Sequence, residues 1–172
     1  MVMRDSKIKE TLAVKVSHVF PPDTNNHGTL FGGKLMSYID DIASVSAMRH
    51  ARSLVVTAST DSVDFLAPIR TNQSVCLESF VTWTGTSSME VFVKVLAENL
   101  ITGERTIAAT AFLTFVAVDE DGQSVPVRKV IPETEEEKHL HETAKIRVEE
   151  RKKRRKASKE LASFIPMKKP WE

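Results

Sequence analysis

The stretch DTNNHGTLFGGKLMSYIDD, residues 23 to 41, joins a turn-rich segment to the start of a helix and decides how the rest of the chain is interpreted. From Gly33 to about Ala51, apolar side chains recur at about 100° per residue, the spacing of one face of an α-helix. The arc consists of Leu35, Met36, Ile39, Ile42, Ala43, Ser46 and Ala47. No other long helical pattern precedes the C-terminal part, so we predict a central helix laid against a sheet.

The segments around this helix alternate as β-strands do. Residues 11 to 20 have the period of a half-buried strand. Their apolar side consists of Leu12, Val14, Val16 and Phe20. Further strand patterns cover residues 54–66, 75–84, 89–97 and 105–119, with turn residues at 85–88 and 102–104 that suit antiparallel hairpins. The predicted class is α+β, an antiparallel sheet with one helix against its face.

The composition becomes strongly charged in the last part of the chain. Thr134 and Glu137 have capping-box spacing, which predicts the start of a second helix. Its apolar contacts would come from Leu140, Ala144, Ile146 and Val148. We predict a main domain over residues 1–132 and a peripheral charged helix and tail over residues 133–172. The basic run at 151–156 has no interleaved aromatic residues, which favours a solvated face over a nucleic-acid contact.

The overall composition excludes several classes of protein. The formal net charge is +1, so global electrostatics favours neither nucleic acid nor an anionic membrane as a partner. The single cysteine, Cys76, cannot form an intramolecular disulfide, and the histidines have no metal-ligand pattern, so we assign no metal. Residues 1 to 10 lack the apolar core of a secretory signal, and no stretch is long enough to span a membrane. We therefore expect a cytoplasmic protein.

Paired glycines stand where the loop becomes the helix. Gly32 and Gly33 would allow a ligand to approach the backbone closely. The free N–H groups of a helix N-terminus attract negative charge, and they would stabilise the oxyanion that forms when a carbonyl carbon is attacked. The alternative is that these glycines serve tight packing of the helix against the sheet.

Two adjacent carboxylates on the predicted helix differ in position. Asp40 lies roughly 90° from the centre of the apolar arc and Asp41 roughly 170° from it, at about 3.6 residues per turn. Asp40 therefore lies at the edge of the buried face, where it could act as a general base or a nucleophile. The alternative is a boundary aspartate that makes a structural hydrogen bond.

Distance separates Asp40 from its own helix N-terminus. It lies seven residues after Gly33, roughly 10 Å along the axis at about 1.5 Å per residue. A symmetric dimer would remove this difficulty, because it can bring Asp40 of one subunit beside the loop and glycines of the other. In that loop, Asn25 could orient a water or bind a carbonyl, and His27 could carry a proton or simply form part of the turn.

Several blocks of this sequence are similar to those of one family. The first block contains Pro22-Asp23-Thr24-Asn25, Gly28, Phe31-Gly32-Gly33, Leu35-Met36 and Ile39-Asp40. The later blocks are VVTA at 55–58, DSVDFLAPI at 61–69, GTSS at 85–88 and FLTFVAVD at 112–119. With these blocks the chain resembles the hotdog-fold acyl-CoA thioesterases, in particular the cytosolic acyl-CoA hydrolase branch, over roughly residues 11 to 132.

The resemblance implies a fold, a reaction and a set of site residues. It implies a sheet wrapped around a long central helix, and hydrolysis of acyl-CoA to a carboxylic acid and coenzyme A. Asp40 matches the catalytic carboxylate, Asn25 the asparagine contributed across a homodimer interface, and Gly33 the polarising helix N-terminus. The substrate-binding candidates are His27, Gly32, Asp64, Phe65, Ser87 and Ser88. No cofactor is implied, since coenzyme A enters only within substrate and product, and the family commonly forms hexamers.

The chain departs from some members of this family at position 86, and its sequence is compatible with two other functions. Some relatives carry a basic residue where this chain has Thr86, so the CoA phosphates would need other cations, with Arg70, Arg128 and Lys129 as candidates. The first alternative function is a non-catalytic acyl-CoA binding or sensor module. The second is a hotdog acyl dehydratase, suggested by HVFP at 18–21.

Overall fold

The computed structural model describes residues 4 to 171. The first three residues and Glu172, which the predicted domains include, lie outside the described residues. The strands are β1 (Ser6–Lys7), β2 (Ala13–His18), β3 (Leu54–Phe65), β4 (Gln73–Thr84), β5 (Ser88–Asn99), β6 (Arg105–Val118) and β7 (Val130–Ile131). The α-helices are α1 (Gly32–Ala51) and α2 (Glu135–Phe164), and short 3-10 helices cover Ile8–Thr11 and Pro21–Asp23.

A five-stranded antiparallel sheet in the order β2-β4-β5-β6-β3 forms the body of the protein. β4, β5 and β6 form the predicted meander of hairpins, and β1 and β7 add a small parallel pair. The α+β prediction is confirmed. β2 and β3 are the two edges of the main sheet, so the strand that follows α1 has an unpaired side in the single chain.

Helix α1 packs along one face of this sheet through the predicted arc. Its buried residues are Leu35, Ile39, Ile42, Ala43, Ser46, Ala47 and His50. Ser46 Oγ donates to the Ser79 carbonyl at 2.9 Å, and Ser79 Oγ donates to the Ile42 carbonyl at 3.0 Å, which fixes the helix on β4. Met36 departs from the prediction because its side chain is half exposed and lines a cavity. At the other end, Arg52 closes the helix in a left-handed conformation.

The apolar side of β2 is the exposed one, which corrects the expected half-buried pattern. Leu12, Val14, Val16 and Phe20 are all exposed, with Val16 at 63%. The opposite side of the strand faces α1, where Ala13 is buried and Lys15 pairs with a helix carboxylate. The reason is that β2 lies at the edge of the sheet, where no element among residues 4 to 171 packs on its outer apolar face.

Helix α2 covers the face of the sheet opposite to α1. Its first turn has the predicted capping box, in which Thr134 Oγ1 accepts from Glu137 N and the Glu137 carboxylate accepts from Thr134 N. Three phenylalanines of β4, β5 and β6 form an aromatic row on this face, namely Phe80, Phe92 and Phe112. Ala144 and Val148 of the helix are buried as predicted, whereas Ile146 points to solvent and is 63% exposed, so its predicted contact is wrong.

A cluster of buried charges fastens α2 to the sheet. Glu90 on β5 is fully buried and accepts from Arg147 Nη2 at 2.8 Å, while Arg151 Nη1 donates to Asp61 Oδ2 at 3.2 Å. Arg154 also pairs with Asp61 on β3. The basic run at 151–156 is therefore only partly the predicted solvated face. Two of its arginines lie against carboxylates that the sheet supplies, since buried carboxylates require such partners.

Residues 4 to 171 show neither a metal-binding cluster nor a helix that could span a membrane. His50 Nε2 donates to the Arg128 carbonyl at 2.8 Å, and burial lowers the pKa of this histidine. Between residues 4 and 171, no cluster of three or more His, Cys, Asp and Glu side chains has a metal-binding arrangement. No helix within this part of the chain is long and apolar enough to cross a membrane.

Candidate active site

The loop before α1 is held in shape by the side chain of Asn25. Its Oδ1 accepts from His27 N at 2.9 Å, Thr29 N at 3.3 Å and Thr29 Oγ1 at 3.2 Å. Backbone N–H groups require an acceptor, so these contacts orient the amide with its oxygen into the loop. The Asn25 NH₂ group then remains to donate to a ligand oxygen. Gly28 supports the tight turn with φ of 71°, a conformation that glycine adopts without strain.

The N-terminus of α1 is open to a ligand. Phe31 is the N-cap residue, and no side chain caps this end of the helix. The ring of Phe31 lies so close to Gly33 that a Cβ there would be 2.6 Å from it, and the ring of Phe65 lies beside Gly32. The glycines therefore serve both close packing and backbone access. Asp23 bonds to Lys34 at the first turn, and this contact raises the pKa of Lys34.

The two carboxylates of α1 have different partners. Asp40 Oδ1 accepts from Thr57 Oγ1 on β3 at 3.0 Å, and Oδ2 has no hydrogen-bond donor among residues 4 to 171. Asp41 Oδ2 pairs with Lys15 Nζ at 2.6 Å and is thereby occupied by a surface ion pair. Asp40 is exposed in the single chain, so the sequence-based expectation of a partly buried boundary position is not met within one protomer.

The predicted site residues line two neighbouring cavities in one protomer. A cavity of about 400 Å³ contains Asn25, Gly32 and Phe65, and a second of about 330 Å³ contains Gly33 and Asp40. The second is otherwise mostly apolar, with walls formed by Met36, Ser37, Ile39, Thr60, Val63 and Leu113. Asn25 and Asp40 of the same chain thus line different cavities. A site shared between two subunits would require this separation.

The remaining predicted site residues are scattered. His27 and Asp64 are exposed, and neither lines either of these two cavities. Ser88 lines a third groove, beneath α2, and the Ser87 carbonyl accepts from Ala117 N in the strand ladder. Within one chain, the structure therefore does not bring Ser87 and Ser88 together with the glycines and Asp40.

Thr57 is the residue that the sequence reasoning missed. It lies in VVTA at 55–58, a block that indicated a strand and contributed to the family resemblance but gave this threonine no role. The signal in the sequence was a hydroxyl on the predicted strand that directly follows the helix with Asp40 along the chain. Its partner, Asp40, lies 17 residues earlier in the chain, and only the packing of α1 on β3 brings the two together.

Comparison with known proteins identifies the family. Residues 27–104 match the thioesterase superfamily model. The chain is 66% identical over 163 residues to the uncharacterized acyl-CoA thioester hydrolase YkhA of Bacillus subtilis, an alignment that covers 95% of each chain. The solved acyl-CoA hydrolase of Bacillus cereus is 52% identical, with a TM-score of 0.92 over 95% of this chain and 100% of that one.

Two further structures bear on ligands and assembly. An acyl-CoA hydrolase from Staphylococcus aureus, solved with butyryl coenzyme A, coenzyme A and coenzyme A disulfide, is 45% identical, with a TM-score of 0.90 over 94% of this chain and 98% of that one. A hexameric acyl-CoA thioesterase in its apo form is 53% identical, with a TM-score of 0.86 over 88% of this chain and 97% of that one.

The fold and these matches define a hotdog-fold thioesterase, which confirms the predicted class. Within the thioesterase superfamily, the chain belongs to the acyl-CoA thioester hydrolases. Neither alternative, the sensor module nor the dehydratase, is supported by these comparisons. Variants of the Staphylococcus aureus enzyme have also been solved with alanine in place of an asparagine, an aspartate or a threonine. Those residues have the same spacing as Asn25, Asp40 and Thr57 here.

Proposed function

We propose that this protein hydrolyses acyl-CoA thioesters to a carboxylic acid and free coenzyme A, with water as the co-substrate and no cofactor. The observation that carries the proposal is the Asp40 carboxylate, held by Thr57 at 3.0 Å at the rim of a mostly apolar cavity. An acyl chain requires apolar walls, and its thioester carbonyl requires a nucleophile at their edge. The high identity to named acyl-CoA hydrolases supports the same reaction.

Asp40 supplies the reactive oxygen in this mechanism. Oδ1 is engaged by Thr57, so Oδ2 either takes a proton from the attacking water or itself attacks the thioester carbonyl carbon. In the first route, the water oxygen bonds to the carbonyl carbon, the C–S bond breaks, and the thiolate takes up the proton. In the second route, the C–S bond breaks as the acyl-Asp40 anhydride forms and the thiolate leaves, and water then hydrolyses the anhydride and supplies the proton that the thiolate takes up. Both routes give one carboxylic acid and one thiol.

The oxyanion is stabilised by donors from the loop and the helix N-terminus. The Gly33 N–H lies at the uncapped start of α1, where the helix dipole favours negative charge. The Asn25 amide can only donate toward the ligand, because its oxygen is engaged in the loop. We therefore assign Asn25 to the carbonyl oxygen or to the oxygen of the attacking water, and assign Gly32 and Phe65 to the path that the substrate follows.

We propose that two subunits share each site. Asn25 and Asp40 of one chain line different cavities, and α1 separates Gly33 from Asp40 by roughly 10 Å. β3, which carries Thr57, has an unpaired edge that a second copy can pair with. The catalytic unit is then a homodimer, and the hexameric relative supports a trimer of such dimers.

A mixing experiment tests the shared site. Asn25→Ala subunits and Asp40→Ala subunits are each expected to be nearly inactive. After random exchange at equal amounts, half of the dimers contain one of each, and each such dimer has one intact site, so about a quarter of wild-type activity should return. Turnover is measured together with native mass spectrometry of the exchanged subunits. Exchange without any recovered turnover would place both residues in the same subunit's site.

The Thr57 hydroxyl is expected to contribute to turnover through Asp40. Thr57→Val keeps the shape of the side chain but removes the donor to Oδ1, which should lower kcat at least about tenfold with little change in KM. Thr106→Val, at an exposed position of β6, is the matched control and should behave as wild type. Equal kcat in the two variants would exclude Thr57 from the site.

We propose that residues 1–132 form the catalytic domain and 133–172 an appended element, because the two cavities with Asn25 and Asp40 are lined only by residues of the first part. We also propose a cytoplasmic location. The only cysteine, Cys76, is buried as a free thiol on β4, so this chain makes no use of an oxidising compartment.

A further inference from the structure

Strand β3 contains two irregularities beside the proposed active site. Its pairing with β6 passes over Ala58 and again over Asp61, and the register shifts at each of these residues. Each extra residue is a β-bulge, which changes the alternation of the side chains that follow it. The two bulges therefore decide which side chains of β3 face α1 and which face α2.

The bulges bring three side chains of β3 to the face with Asp40. Thr57, Thr60 and Val63 lie three residues apart, whereas a regular strand places every second residue on the same face. Their partners on β6 lie two residues apart and share a face, namely Phe115, Leu113 and Ala111. Thr57 donates to Asp40, and Thr60 and Val63 line the cavity that contains this carboxylate. In a strand without the bulges, Thr60 would point to the opposite face from Thr57 and Val63.

Asp61, the extra residue of the second bulge, is held from the opposite face of the sheet. Its side chain is only 9% exposed. The carboxylate accepts from Ser59 Oγ at 2.7 Å and from Thr114 Oγ1 on β6 at 2.6 Å. Arg151 and Arg154 of α2 donate to the same carboxylate, and Arg154 Nη1 also donates to the Asp61 carbonyl at 3.1 Å. Both the side chain and the backbone of this bulge are thus bonded to α2.

These contacts oppose a change of register in β3. The strand is an edge of the main sheet, where β6 is its partner in the single chain. Loss of a bulge would shift the register by one residue on one side of it, and the side chains there would turn to the other face. Asp61 would then leave its donors, which is unfavourable because a carboxylate with so little exposure requires charged and hydrogen-bonding partners.

We propose that Asp61 is a positioning residue for thioester hydrolysis, because it fixes the bulges that direct Thr57 toward Asp40. Helix α2 takes part through Arg151 and Arg154, although it lies on the opposite face of the sheet. The inference rests on the proposed function, in which Asp40 is the reactive group. Asp61 acts at a distance from the substrate, since its carboxylate faces α2 and the cavities with Asn25 and Asp40 are lined by other residues.

Attachment of α2 is the simpler role for the same contacts, and a second ion pair provides the comparison. Arg147 and Glu90 join α2 to β5 without a contact to β3. The Glu90→Gln/Arg147→Met variant therefore weakens the attachment of the helix but leaves Asp61 and both bulges in place. Its kcat should stay within about twofold of wild type when measured well below its unfolding midpoint. Equal kcat losses in this variant and in Asp61→Asn would assign the contacts to attachment alone and overturn the proposal.

The kinetic test separates positioning from binding. Asp61→Asn keeps the size of the side chain and removes its charge, so kcat should fall at least about tenfold while KM stays within about twofold. Because Asp61 acts through Thr57, adding Thr57→Val to Asp61→Asn should lower kcat by less than about twofold more. A further tenfold loss in this double variant would contradict that coupling. Lys153→Met, at an exposed position of α2, should keep the kcat of wild type.

Amide hydrogen exchange tests the bulges without turnover. Asp61→Asn should speed exchange at residues 57–63 at least about tenfold, while the amides of α1 keep their wild-type rates. If the wild-type protein hydrolyses no acyl-CoA, the proposed function fails, but unchanged exchange in β3 is still the result that overturns the role of Asp61. In an active enzyme, unchanged kcat overturns it as well.

Arg154→Met provides a milder variant should Asp61→Asn fail to fold. It removes the donor to the Asp61 carbonyl but leaves Arg151 on the carboxylate, so kcat should fall about threefold, with faster exchange in β3. Native mass spectrometry should show the same assembly as wild type. Dissociation in step with the loss of turnover would place these contacts in subunit assembly and overturn the proposal.

Discussion

Asp40→Ala is expected to lower kcat for acyl-CoA hydrolysis by about a thousandfold, the loss typical for removal of a catalytic base or nucleophile. The carboxylate is exposed at the rim of its cavity, and its only hydrogen-bond donor among residues 4 to 171 is Thr57, so the variant should fold and assemble normally. Release of coenzyme A, followed with a thiol-reactive dye over several acyl chain lengths, measures the effect. KM and the Kd for coenzyme A should change little, because substrate contacts remain.

The neighbouring carboxylate provides a matched control. Asp41→Ala removes the same group one position further along α1 and breaks only the exposed ion pair with Lys15. Exposed pairs of this kind contribute little to stability, so turnover should stay within about twofold of wild type. Asp40→Ala turnover above a tenth of wild type, or equal losses in the two variants, would remove Asp40 from its proposed role.

Arg147→Met is expected to destabilise the protein by about 3 kcal/mol, because it leaves the fully buried Glu90 without its main partner. Arg147 donates to Glu90 from both Nε and Nη2 and lies 4.1 Å from the ring centre of Phe112. For a chain of this size the thermal midpoint should fall by roughly 10 °C, measured at fixed protein concentration because the protein assembles.

A second variant separates the buried charge from lost packing. Adding Glu90→Gln to Arg147→Met removes the uncompensated carboxylate and keeps an acceptor for Thr82, so roughly half of the lost stability should return. Lys153→Met, at an exposed position of the same helix, should shift the midpoint by no more than about a degree. If Arg147→Met behaves like this control, the charge cluster does not hold α2 on the sheet.

Local patterns in the sequence predicted most of the fold. The 3.6-residue spacing between Leu35 and Ala47 reflects contacts that a helix makes with one neighbour, so it indicated α1 without knowledge of that neighbour. Turn residues between β4, β5 and β6 predicted the hairpins for the same reason. The helix wheel also distinguished Asp40 from Asp41, and in the structure these two carboxylates have different partners.

Features that depend on distant partners were not visible in the sequence. Arg151 looks like its neighbours in a basic run, and only Asp61, 90 residues earlier, makes it a buried residue. The apolar side of β2 was detected, but its exposure depends on the edge position of that strand. Thr57 acquires its role through a contact across the layers. In each case, the burial and the partners of the residue depend on packing between elements. The alternation of apolar and polar residues along one segment does not reveal that packing.

The anchoring of α2 by Arg147, Arg151 and Arg154 ends about ten residues before the last residue of that helix. From residue 155 to Phe164 every side chain is exposed, and this segment extends about 15 Å at about 1.5 Å per residue. The segment is thus a natural stiff spacer. Neither the cavity with Asn25 nor the cavity with Asp40 is lined by a residue of this segment, so a fluorescent protein or an affinity tag joined after Phe164 is expected to leave turnover unchanged.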